Sequence, residues 1–176
     1  MTLDGRKRRL PPGGGHPDWS PDGKYLLVSQ IKKPFSYLVP HYRFPLLTEV
    51  WTTEGELVTQ VADLPSGETI PKGFDAVIEG RRSIGWRADT PATLVWAEAL
   101  DGGDMNTEVE HHDSVHTWDA PFQQPPRKLL DIERRFNDIE WANDDFAIVT
   151  EWRFSDRQLR AWKFSPAAPA AGPRPT

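Results

Sequence analysis

A tryptophan followed three positions later by an aspartate occurs three times, at Trp19/Asp22, Trp86/Asp89 and Trp141/Asp144, each time just ahead of a short aliphatic run. With 8 Trp in 176 residues, chance placement gives about 0.7 such pairs. The register continues downstream: Trp19 to Trp51 and Trp86 to Trp118 both span 32 residues, and each second Trp closes a β-like run. The third unit is shorter, reaching Trp162 after 21 residues and then meeting a Pro/Ala-rich tail. Each unit reads as strand, tight turn, strand, loop, strand, loop, strand, which is one blade of a β-propeller. The Trp ends the first strand. The Asp accepts hydrogen bonds from backbone N–H groups just ahead of it in the turn, and Gly23 supplies a permissive φ in the first copy. Trp19, Asp22, Trp86, Asp89, Trp141 and Asp144 are therefore expected to be structural. A Trp86→Ala change should cost ~3–5 kcal/mol through lost packing.

The expected fold is all-β, a partial β-propeller of about two and a half four-stranded antiparallel blades over residues 16–164. A basic, Pro/Gly-rich leader (1–15) and a Pro/Ala tail (165–176) are expected to be disordered. Seventeen Pro and 13 Gly leave little room for long helices, and Lys128–Phe136 is the best helical candidate because Leu129, Ile132, Glu133 and Phe136 have near-helical spacing. Composition narrows function. The net charge of −5 gives no basic field for nucleic acid or anionic lipid, so neither is expected as a partner. The absence of cysteine removes thiolate chemistry and Cys-based zinc sites. No apolar run reaches membrane-spanning length, and the basic start lacks an apolar stretch behind it, so a cytoplasmic location is expected.

The text between the blade turns is more specific than the turns. The turn Trp19-Ser20-Pro21-Asp22-Gly23-Lys24 is similar to turns of propellers in the prolyl oligopeptidase family and in related periplasmic proteins, whereas Pro34-Phe35-Ser36-Tyr37-Leu38-Val39-Pro40, Arg43-Phe44-Pro45, Gly73-Phe74-Asp75-Ala76-Val77, Trp86 to Leu94 and Glu98-Ala99-Leu100-Asp101-Gly102-Gly103-Asp104 resemble more specifically the propeller of prolyl oligopeptidase family serine peptidases. The likeness is to the bacterial and plastid branch that includes the glutamyl endopeptidases. It implies serine-type peptide hydrolysis in the parent enzyme, with the propeller gating or positioning peptide over a separate α/β-hydrolase domain. This sequence departs from that pattern in one respect: no Ser lies in Gly-x-Ser-x-Gly, so no triad and no catalytic residue is assigned. A stand-alone protein-binding module and a non-functional gene fragment remain open alternatives. The partners expected are a peptide or the missing catalytic domain, together with self-association through open blade edges, chiefly at Asn137–Phe164.

Arg81, Arg82, Arg134 and Arg135 stand shortly before the second and third blade Trp residues. If first strands line a central channel, these arginines lie near its mouth and contact acidic peptide side chains. Glu108 to His116 is rich in His and carboxylates, with His112, Ser114 and His116 on one strand face and His111 and Asp113 on the other. No second ligand-bearing motif accompanies it, so no metal or other cofactor is expected. Asp101-Gly102-Gly103-Asp104 reads as a hairpin turn, where Asp101→Ala should change stability little. The carboxylate pairs Asp144/Asp145 and Glu108/Glu110 are read as surface.

Overall fold

The computed structural model describes residues 17–168 and 174–175. The leader 1–15 lies outside these residues. Among the described residues twelve strands form three four-stranded antiparallel sheets in the orders β1-β2-β3-β4, β5-β6-β7-β8 and β12-β11-β10-β9. The first holds β1 (Asp18–Trp19), β2 (Tyr25–Ile31), β3 (Leu46–Thr52) and β4 (Leu57–Leu64). The second holds β5 (Arg82–Trp86), β6 (Thr93–Ala99), β7 (Asp113–Asp119) and β8 (Arg127–Ile132). The third holds β9 (Arg135–Asn143), β10 (Phe146–Arg153), β11 (Gln158–Phe164) and β12 (Arg174–Pro175). Each sheet meanders from its first strand to its fourth, and the chain then enters the first strand of the next sheet, the order expected of propeller blades. The expected disorder of the tail 165–176 would leave the third blade without an outer strand; two of its residues instead form β12, a short fourth strand paired with β11, and 169–173 and 176 lie outside the described residues.

The helical reading of Lys128–Phe136 is corrected: this stretch is the end of β8, a two-residue connection and the start of β9. The near-helical spacing was coincidental. Leu129 and Ile132 are buried in one core, and Phe136, on the next blade, packs against the same core.

Strand pairing explains the repeat. Trp86, Leu94 and Trp118 lie side by side across the second blade, as do Trp19, Leu26, Trp51 and Leu57 across the first. In the third blade the row is Trp141, Ala147 and Phe164, so Phe164 rather than Trp162 is the counterpart of Trp51 and Trp118. The rows of the second and third blades face the preceding blade. Leu94, with Trp86 and Trp118, packs against Leu27, Val50 and Val61 of the first blade. Ala147, Phe164 and Trp141 pack with Val95, Val115 and Leu130 of the second. The middle blade is thus covered on both faces, and β6 reads as a nearly unbroken buried run from Thr93 to Ala97 for that reason. At ~25 cal/mol per Å² of apolar surface, these two cores are the main stabilising contribution.

Candidate functional site

The turns after β1, β5 and β9 are tied together from blade to blade. In the first, the Ser20 hydroxyl donates to Asp22 Oδ1 (2.8 Å), which also accepts from Lys24 N (3.1 Å). Gly23 takes φ 70° there, the left-handed region that glycine tolerates. Asp22 N then donates to Pro91 O in the second blade's turn (2.9 Å), and Trp86 Nε1 donates to Asp18 O (3.0 Å). The second turn reaches the third through Arg87, a residue not singled out from the sequence. Its guanidinium forms a fork with Asp89 (3.0 and 2.6 Å), donates to Asp144 Oδ1 (3.1 Å) and lies over the Trp141 ring at 4.3 Å. Burial alone would lower the Arg87 pKa, but Asp89 and Asp144 hold it above its ordinary value. The signal was faint: Ser20 and Ala142 occupy the same place in the other copies. An open groove of about 410 Å³ runs along this end between the first and second blades, walled by Asp22, Lys24, Tyr25, Pro91, Asp119 and Pro121.

The opposite end holds a buried ionic cluster, and three of the four arginines expected near a channel mouth belong to internal ion pairs there. Arg135 donates from Nη1 to Asp101 Oδ1 (3.0 Å) and Asp113 Oδ1 (2.9 Å), from Nη2 to Asp101 Oδ2 (2.6 Å) and from Nε to Asp75 O (2.7 Å). Arg82 pairs with the other oxygen of Asp113. His112 Nδ1 meets Asp101 Oδ2 at 2.7 Å. Arg134 is fully buried and forks onto Asp156 (3.4 and 2.8 Å) while its backbone N–H donates to Glu151 Oε2 (3.0 Å). Arg81 differs. Its ion pair, with Glu98 at 3.6 Å, is partly exposed, and it donates to Val61 O (2.9 Å) and lies over the Trp96 ring at 4.6 Å.

Asp101 is the largest departure from the sequence reading. It does form a turn, its Oδ1 accepting Gly103 N (2.9 Å), but its carboxylate is completely buried instead of solvated. Burial would raise its pKa, yet the bonds from Arg135 and His112 and the Arg135 charge hold it below the ordinary carboxylate value. Gly103 permits the close packing: φ is 80°, and a Cβ there would stand 2.1 Å from Val77 O. The expectation that Asp101→Ala is nearly neutral is therefore corrected.

Ser114 and His116 do share a face, with Ser114 Oγ 2.9 Å from His116 Nε2. The His116 ring stacks on Trp96, and burial pushes its pKa below the ordinary value of 6.5. This pair has no carboxylate hydrogen-bonded to the other ring nitrogen among the described residues, so the geometry of a triad is not assembled. His112 turns away to Asp101. Among the described residues no group of three or more His, Cys, Asp or Glu is placed to hold a metal ion. Asp144 is mostly exposed and touches the Arg87 network, and the expected role of the turn aspartates is corrected in two of the three copies: among the described residues Asp22 accepts a backbone N–H, whereas Asp89 and Asp144 accept from Arg87, and in the third turn Asn143 Oδ1 takes the backbone bond from Asp145 N.

Fold and site together define a series of propeller-like blades, joined at one end by tryptophan contacts and the Arg87 network and at the other by the Arg135 ionic cluster. The chain is 45% identical over 159 residues to a probable chloroplastic glutamyl endopeptidase of Arabidopsis thaliana, covering 89% of this chain and 16% of the relative. It is 41% identical over 159 residues to the protein of the same name from Oryza sativa, covering 89% of this chain and 17% of that relative. Over most of its length the chain is thus related to proteins named as peptidases, while it spans about a sixth of their length. A ribonuclease 3 of Rhizobium rhizogenes is 29% identical over 119 residues, 60% of this chain and 48% of that protein. No family model matches the chain. The expected cytoplasmic location is contradicted by the same comparison, since both plant relatives are named chloroplastic.

Proposed function

We propose that this chain is a non-catalytic propeller segment of a prolyl oligopeptidase family serine peptidase, of the glutamyl endopeptidase type, that gates or positions peptide for a separate α/β-hydrolase domain. One observation carries the reading: the match takes in 89% of this chain but only 16% of the Arabidopsis relative, and the matched part folds as three successive blades. The nucleophile, its general base and the oxyanion donors then belong to the separate hydrolase domain, because no Gly-x-Ser-x-Gly occurs here. The rows of aromatic side chains and the ionic cluster hold the blades in register beneath that domain. The partner is the hydrolase domain or its peptide, and in its absence the chain self-associates through Asn137–Phe164.

The test has two arms. A fluorophosphonate probe should label no serine of the purified chain; labelling at Ser114, the one seryl hydroxyl bonded to an imidazole among the described residues, overturns the non-catalytic role. Replacing the matching segment of the Arabidopsis relative with residues 17–168 should leave a folded chimera that still cleaves glutamyl peptides. A folded chimera without activity overturns the family assignment of this segment.

A further inference from the structure

The connection between β2 and β3 is a 14-residue loop, 32–45, whose neck is closed by Lys32 N donating to Pro45 O (2.8 Å) and by a stack of Phe35 on Phe44 with centroids 5.6 Å apart. Within it, Leu38 N donates to Ser36 Oγ (2.9 Å), and His41–Arg43 forms a 3-10 turn whose Arg43 stem packs against Gly67. The loop is therefore internally braced, yet its large apolar side chains point outward. Phe35 is 57% exposed, Tyr42 74%, Leu38 84% and Tyr37 fully so. Four such side chains in eight consecutive residues exceed the scattered exposure normal for a surface.

Charge adds a second, independent feature. The whole chain carries −5, but residues 32–48 contain Lys32, Lys33, His41 and Arg43 and no carboxylate. Lys32 pairs with Asp63. Lys33, His41 and Arg43 have no ion-pair partner among the described residues; Lys72, Arg127, Arg157 and Lys163 share that property, so what sets the loop apart is three such cations in one stretch that holds no carboxylate. A braced loop with outward aromatics and unpaired cations matches a ligand offering carboxylates between apolar side chains.

We propose that loop 32–45 is a docking site for an extended acidic peptide segment, with Tyr37, Leu38 and Tyr42 taking its apolar side chains and Lys33 and Arg43 its carboxylates. An anionic bilayer fits less well. The neighbouring loops 65–81 and 100–112 emerge at the same end of the blades and expose Glu68, Glu79, Glu108 and Glu110, which repel a broad anionic surface but not a chain narrow enough to follow one loop. The assignment rests on the chemistry of this loop and stands apart from the peptidase reading.

The experiment uses the full 176-residue chain and a fluorescein-labelled nine-residue peptide alternating Glu and Leu, with a Lys/Leu peptide and phosphatidylserine vesicles as comparisons. Anisotropy should report binding of the Glu/Leu peptide alone, weakening as salt rises. A Lys33→Glu/Arg43→Glu variant should weaken it by about tenfold or more, and Tyr37→Ser/Leu38→Ser should weaken it at all salt concentrations. Because these side chains are exposed, circular dichroism and the urea midpoint should not move, which separates lost docking from lost fold. Absence of Glu/Leu binding, equal binding of the Lys/Leu peptide, insensitivity to both variants, or binding to vesicles but not to peptide each overturns the proposal. Failure here with an active chimera leaves the peptidase reading intact, and the converse leaves this one intact.

Discussion

Replacing Asp101 by Asn keeps the shape of the side chain and removes one buried negative charge. The cluster in the native chain balances Arg82 and Arg135 against Asp101 and Asp113, all with side chains at most 12% exposed. After the substitution two guanidiniums share one carboxylate, and the fork from Arg135 to Asp101 loses its charge-assisted character. Removing one partner of a buried ion pair typically costs ~3–5 kcal/mol, because the remaining charge stays desolvated and uncompensated. The expected loss thus equals the ~3–5 kcal/mol assigned to Trp86→Ala, although Asp101 stands in a sequence that reads as a surface turn. With a urea m-value of about 2 kcal/mol/M, the midpoint falls by about 2 M. Asp104→Asn is the control: Asp104 is less buried and bonds only within its own turn, to Asn106, so its midpoint should move by less than ~0.3 M. A second arm removes both charges together. Asp101→Asn with Arg135→Met should cost clearly less than the two single changes summed, because no lone charge is left. An Asp101→Asn midpoint within ~0.3 M of the native chain at pH 7, or full additivity in the double variant, would show that no charge is stranded in the cluster.

Arg87→Met should destabilise by ~2–4 kcal/mol, through stranded Asp89 and the lost contact with Trp141, while Asp144→Asn should cost under ~1 kcal/mol because Asp144 is mostly solvated; urea midpoints of both variants check the contrast. The His116 pKa lies below 6.5 in the fold, so the unfolded chain takes up a proton that the folded chain refuses; stability is therefore full above pH 6.5 and falls as pH drops through the folded value. Urea midpoints measured from pH 7.5 to 5 should show that decline, and His116→Gln, which keeps a hydrogen-bonding group beside Ser114, should flatten it. Asp101, held below its ordinary value, adds a further loss only at more acidic pH.

What the sequence determined by itself is whatever repeats or alternates locally. The Trp-x-x-Asp turns are legible because the Trp, the turn and the following strand lie within a dozen residues, and the same packing problem recurs in every blade. The second strand of each blade is legible as the short aliphatic run after its turn, but that β6 is covered on both faces followed only from the packing of the blades. Tertiary structure alone decided the ionic cluster. Asp101-Gly102-Gly103 carries the local signal of a turn, and it is one, but the fate of its carboxylate depends on Arg135, 34 residues away and at the start of another blade. Nothing in either segment marks that meeting. The same holds for Arg87, whose partner Asp144 lies 57 residues on, and for Lys128–Phe136, where helical spacing over a few residues was overridden by strand pairing with β7 and β10. Charge pairing in the interior acts at a few ångströms in space and is blind to separation along the chain. A sequence therefore shows which charges exist, and the packing of the blades determines which of them meet away from water.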